Sequence, residues 1–167
     1  MAIRDYIGRK HDYLALQNTA PRGDRRLGLE LFNTRSSGQI CVGPQKLAQR
    51  WLLEFLTETG SMPGDPTRGC SFLRLGRTSR LRSGIDVRAA FALASSEVQI
   101  NLQAEEYPEM PADERFASAE LLGFTIDPNP VQSERSGTSA VFLNLTVRIT
   151  SQAGESREII APISVRP

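Results

Sequence analysis

Apolar residues recur every three or four positions at Leu47, Ala48, Trp51, Leu52, Phe55 and Leu56, with Lys46, Gln49, Arg50 and Glu54 on the opposite side. That spacing predicts an amphipathic helix with a solvated polar face, opened by Gly43 and Pro44 and stopped at Gly60. The run Gly60-Ser61-Met62-Pro63-Gly64-Asp65-Pro66 cannot continue a helix because its prolines lack amide donors, so a structured loop to Gly69 is expected. Beyond an Arg-rich stretch, Ile85, Ala89, Ala92, Leu93 and Ser96 mark a second helix with a narrow, small-residue face, starting near Ser83 or Gly84 as N-cap. Around Glu97 the period changes to two: Val98, Ile100 and Leu102 alternate with polar residues, which predicts a strand leaving directly from the helix.

Further alternation predicts a strand at Leu122, Phe124 and Ile126, ended by Asp127-Pro128-Asn129-Pro130, and another at Leu143, Leu145, Val147 and Ile149. A last strand carries Ile159, Ala161, Ile163 and Val165, joined to the preceding one by a turn at Gln152-Ala153-Gly154-Glu155. Residues 105–113, rich in Glu and Pro, read as a loop. Leu27, Leu29 and Leu31, then turn residues, then Ile40 and Val42 suggest a hairpin, whereas residues 1–23 lack periodicity and read as an arm. Helices come early and strands late. The expected architecture is therefore α+β, with two principal helices packed on one face of a mainly antiparallel sheet: an arm over 1–23 and one domain over 24–167.

A length of 167 residues suits one domain, and 40% hydrophobic with 23% charged residues fits a globular chain. The net charge of +1 provides no global field to recruit nucleic acid or an anionic membrane. Cys41 and Cys70 are too few for a disulfide scaffold and read as buried thiols of a cytosolic protein. The charged N-terminal stretch lacks a signal-peptide pattern, and no apolar run could span a bilayer.

Catalytic chemistry has few candidates. His11 is the single histidine and lies in the arm, the cysteines have no metal-ligand spacing, and no glycine-rich phosphate loop occurs. No catalytic residue, metal site or cofactor is assigned. Paired carboxylates remain open, through Glu54 with Glu58 or Glu105 with Glu106, although Glu54 and Glu58 fall off the apolar stripe and read as solvated.

Local charge is more telling. Residues 68–88 carry Arg68, Arg74, Arg77, Arg80, Arg82 and Arg88 against Asp86, a balance of +5. Residues 97–120 carry Glu97, Glu105, Glu106, Glu109, Asp113, Glu114 and Glu120 against Arg115, a balance of −6. Such blocks orient a docking protein; solvated loops and nucleic-acid binding are the competing uses, the latter without aromatic residues for base stacking. Arg74, Arg77, Arg80, Arg82, Glu105 and Glu106 are the candidate docking charges. The bias of eighteen Arg to two Lys fits a contact surface.

The segments Gly43-Pro44-Gln45-Lys46-Leu47-Ala48-Gln49-Arg50, Leu52-Leu53-Glu54-Phe55-Leu56-Thr57-Glu58-Thr59-Gly60-Ser61 and Asp65-Pro66-Thr67-Arg68-Gly69 resemble the small baseplate wedge proteins of contractile phage tails. Related proteins serve type VI secretion and other contractile injection systems, and the family often carries a lysozyme-like label. The order of elements agrees over about 24–167, and the detailed match covers about 43–72. The family's Glu-Pro-Arg at the end of the second helix is replaced by Glu97-Val98-Gln99.

The resemblance implies a non-enzymatic virion subunit, assembled in the host cytoplasm and present in several copies in a symmetric tail baseplate. Glu97 and Gln99 would touch the wedge core. The terminal strand, with Ile159, Ile160, Ala161, Ile163 and Val165, would receive the tail sheath protein by strand addition. Its partners would be wedge subunits and sheath, with no nucleic acid and no membrane. A covered edge, and a peptidoglycan-cleaving enzyme, are the alternatives.

Overall fold

The first long helix, α1 (Gly43–Phe55), forms where the three-to-four spacing requires it, and it drives Trp51 and Phe55 to complete burial. Their rings stack with centroids 4.7 Å apart, and Phe55 also meets Phe72 at 5.0 Å and Phe91 at 5.8 Å. The computed structural model describes residues 9–10, 12–13, 40–78, 80–132 and 139–165.

Two expectations for α1 are corrected. It ends at Phe55, not Gly60, because the returning chain captures its continuation: Cys70 N–H donates to Thr57 O at 2.9 Å, and Glu58 bridges Cys70. Its polar side is not solvated either, since Lys46, Gln49 and Glu54 are all buried. Gly69 makes the return possible; with φ +90, a Cβ there would stand 2.4 Å from Thr57 O, so only glycine fits.

The Arg-rich stretch contains a short helix that the sequence pattern did not announce, α2 (Phe72–Arg77). After it comes α3 (Gly84–Ala104), begun as expected at Ser83, whose hydroxyl accepts from Asp86 N while Asp86 accepts from Ser83 N in a reciprocal capping box. Here the sequence pattern misled twice. No strand follows at Glu97, because Val98 and Leu102 sit one helical turn apart and extend the buried row Val87, Ala90, Phe91, Ala94. The row Ile85, Ala89, Ala92, Leu93, Ser96 turns outward, since Phe91 on the other face joins the α1 aromatic cluster and fixes the helix's rotation.

The sheet has three antiparallel strands in the order β3-β4-β5, formed by Phe116–Gln132, Ser139–Ser151 and Ser156–Val165. The helices lie on one face, α3 over β3, α1 over β4 and β5, and α2 over β5. This is the expected α+β class. Leu143, Leu145, Val147 and Ile149 point into the core with Ala161 and Ile163, as the alternation predicts.

On β3 the alternation slips. Leu121 lies opposite Val147 and Phe124 opposite Leu145, with an irregularity between Leu121 and Gly123. Leu122 is the extra residue of that bulge and has no partner across the strand. The bulge keeps Ala119, Leu121 and Phe124 packed on the core, so Leu122 does not share their face. Nor does Asp127-Pro128-Asn129-Pro130 end the strand: pairing breaks between Asp127 and Val131 and resumes to Gln132.

A small sheet of β1 (Asp12–Tyr13) and β2 (Ile40–Cys41) ties the described part of the arm to the entrance of α1. Most of the expected hairpin over residues 27–42, and most of the arm, lies outside the described residues.

Candidate functional site

The strand order leaves β3 and β5 as the two edges of the sheet. Among the described residues, no strand pairs with the outer side of β5. The turn before it closes through Ser151 N–H to Glu155 O at 2.8 Å, and the β4–β5 register then runs unbroken from Thr150 opposite Ser156 to Val141 opposite Val165. Bonded and non-bonded pairs alternate along an antiparallel ladder. Counting from the closing bond, Arg157, Ile159, Ala161 and Ile163 direct their main-chain groups to β4, while Ser156, Glu158, Ile160 and Pro162 direct theirs to the free edge.

Pro162 therefore lacks its N–H where the ladder needs none, the position at which a strand tolerates proline. The free edge offers N–H and C=O groups at Ser156, Glu158 and Ile160 but only a carbonyl at Pro162. Of the five residues assigned to this strand, Ala161 and Ile163 are fully buried and Ile159 partly so. Ile160 is 51% exposed. Val165 closes the described strand, opposite Val141.

The other predicted residues are spread over the surface and do not converge. Glu97 is half-buried, and its Oε2 accepts Ser71 N–H at 2.7 Å, so it holds the start of α2. Gln99 is half-buried on the same helix, and the Glu97-Val98-Gln99 stretch lies inside α3, not at a helix end. Arg74, Arg77, Arg80 and Arg82 are exposed, with Arg77 paired to Glu58. Glu105 is shared between Arg50 and Arg68, at 2.8 and 2.9 Å. Glu106 accepts Phe116 N–H at 3.1 Å at the start of β3. The acidic block thus supplies internal partners as well as surface charge.

Two buried carboxylates that the sequence pattern placed elsewhere organise the domain. Glu54 is 2% exposed; its Oε1 accepts Gly69 N–H at 2.7 Å and Asn101 Nδ2 at 2.8 Å. Its Oε2 accepts both Arg68 Nε and Nη2, at 3.1 and 2.9 Å. This pins the base of the 60–69 loop to α1 and α3 while residues 61–67 stay exposed. Partial burial works against the Arg68 charge, but the Glu54 bond and the fields of Glu105 and Glu54 outweigh it and raise the guanidinium above its ordinary pKa.

Glu114, with no exposed surface, accepts Gly43 N–H at 3.1 Å and Lys46 Nζ at 2.6 Å. It caps α1 from a distant loop, because Val42 at the N-cap position has no side-chain acceptor. Arg9 joins through Asp113 at 2.8 Å, and Lys46 also donates to Lys10 O, so this part of the arm docks on its own domain. The capping signal could have been sought in Gly43-Pro44 lacking a preceding Ser, Thr, Asp or Asn.

Beside that node lies an open cleft of about 320 Å³ lined by Lys10, Asp12, Lys46, Arg50, Glu105, Tyr107 and Met110. Within it Arg50 pairs with Glu105, Lys46 is held by Glu114 behind the wall, and Lys10 Nζ sits 4.1 Å from the Tyr107 ring centroid. Among the described residues, no group of three or more His, Cys, Asp or Glu is placed to hold a metal, and no helix is long and apolar enough to cross a membrane. Cys41 and Cys70 are free and buried, and burial pushes their thiols up to about 11 and about 12.

Compared with protein-family models, with curated proteins and with solved structures, the chain matches none.

Proposed function

We propose that this protein is a non-enzymatic structural subunit of a contractile-tail baseplate, which joins a wedge to the first sheath ring by accepting an added strand at β5. The observation that carries this reading is the outer edge of β5, bonded to β4 on one side and to no described strand on the other. An incoming strand would find main-chain partners at Ser156, Glu158 and Ile160, and Pro162 would fix where its ladder stops. Beside α1, the short helix α2 also packs on β5 and brings exposed Arg74 to that flank, where it can orient the incoming chain. Gln99 on α3 is the accessible member of the pair assigned to the wedge core, since Glu97 is engaged by Ser71.

Removing the end of the chain from Glu158 would delete Ala161 and Ile163 from the core, so a point change is the cleaner test. Ile160→Pro removes one donor facing the free edge and leaves the β4–β5 ladder whole. The expected result is a folded protein that enters baseplates which fail to nucleate sheath. Sheaths of normal length on such baseplates would overturn the strand role. Loss of turbidity from cell walls incubated with the purified protein, abolished by Glu54→Gln or Glu105→Gln, would instead establish the peptidoglycan-cleaving alternative.

A further inference from the structure

Among the described residues, the outward face of α3 is an apolar surface that no contact within the fold explains. Ile85, Leu93 and Ile100 are 79%, 54% and 67% exposed on one helix, and Ala89, Ala92 and Ser96 lie exposed between them. These six residues follow the three-and-four spacing of a helix-packing seam about 22 Å long, yet no other element of the described structure covers them. A solvent-facing side of a helix with no packing duty ordinarily carries charge, whereas these six positions are small or aliphatic and the polar Gln99 beside them is uncharged.

We infer that this face binds a second copy of the same chain, α3 against α3 in antiparallel orientation about a two-fold axis near Ala92 and Leu93. The stripe reads the same in both directions. Ile85 meets Ile100 of the second copy, Ala89 meets Ser96, and Leu93 lies over Ala92, so each reciprocal pair occurs twice, as two-fold symmetry demands. The small residues at the centre let the backbones approach closely, with Leu93 as the knob that fills the gap.

Charge fixes the direction. The basic block lies before and within the first turns of α3, with Arg80, Arg82 and Arg88 all exposed. Past its C-terminus Glu109 is exposed, while Glu105 is already bonded to Arg50 and Arg68. Antiparallel pairing sets the arginines at the start of α3 in each copy beside Glu109 of the other; parallel pairing would set the arginines of the two copies together. The face includes Gln99, so the dimer belongs to the free protein before it meets a wedge.

The test is sedimentation equilibrium of the full chain, with cysteine cross-linking. Wild type is expected to show a monomer–dimer equilibrium that weakens as salt is raised. Leu93→Glu, at an exposed position that leaves the core intact, is expected to be monomeric throughout with an unchanged circular dichroism spectrum. On mild oxidation the double variant Ala89→Cys with Ser96→Cys should cross-link between copies. Ala89→Cys alone should not, because the two copies of position 89 would stand about two helical turns apart along the seam. A monomeric wild type, a dimer indifferent to Leu93→Glu, or cross-linking of the single variant would each overturn the proposal.

Discussion

Replacing Glu54 isolates what one buried carboxylate does for the 60–69 loop. Glu54→Gln preserves volume, but its amide NH2 must face one of two donor sets: Gly69 N–H with Asn101, or the two Arg68 groups. Facing Arg68 is the cheaper choice, because that side chain is 38% exposed and can turn to water. The bonds to Gly69 and Asn101 then survive but lose their charge assistance, which is about 1 kcal/mol each, so Glu54→Gln should destabilise by about 2 kcal/mol. Glu54→Ala removes both bonds and leaves the Gly69 donor buried without a partner, for a total of about 3–4 kcal/mol. Equilibrium unfolding in urea should show the midpoint falling in that order with an unchanged slope. Hydrogen exchange should show the Gly69 amide losing protection more than those of β4. If both variants unfold within about 0.5 kcal/mol of wild type, the usual range of a surface substitution, the pinning role of Glu54 is refuted.

Two further outcomes follow from the electrostatics. Both thiols are buried and raised in pKa, so a thiol-specific chromogenic reagent at mildly alkaline pH should label neither Cys41 nor Cys70 until the protein unfolds; rapid labelling of the native protein would contradict their placement. The Ser83 hydroxyl bond, with the Ser83 and Arg82 amides, holds the Asp86 carboxyl below its ordinary value of 3.8. A lowered folded-state pKa contributes stability above the ordinary value that is lost as pH falls through the folded one. Acid titration of wild type should therefore show a weakening of α3 that Asp86→Asn lacks, and parallel curves for the two proteins would remove Asp86 from the cap.

The N-cap near Ser83 was legible because a cap and the amide it serves lie within one turn of sequence, as was the alternation of Leu143, Leu145, Val147 and Ile149. Glu54 and Glu114 were not, because the donors they satisfy are 15 and 71 residues away, at Gly69 and Gly43. Periodicity marks a polar position as outward and carries no information about a distant N–H that needs an acceptor. The free edge of β5 was half-legible: Pro162 pointed to an edge, while which residues face it depends on where the hairpin closes.

The sequence by itself determined that the two long helices precede the strands of the main sheet, where α1 and α3 begin, and that β4 and β5 form a hairpin, since all of these rest on contacts within a few residues. Tertiary structure alone decided which side of α3 is buried. Its two faces carry similar apolar patterns, and only the proximity of Phe91 to Trp51 and Phe55 breaks the tie. The same packing carries α3 seven residues past Glu97, because Val98 and Leu102 continue a buried row that a period of two fits almost as well. Where two local readings are nearly equal in energy, burial against the rest of the core makes the choice.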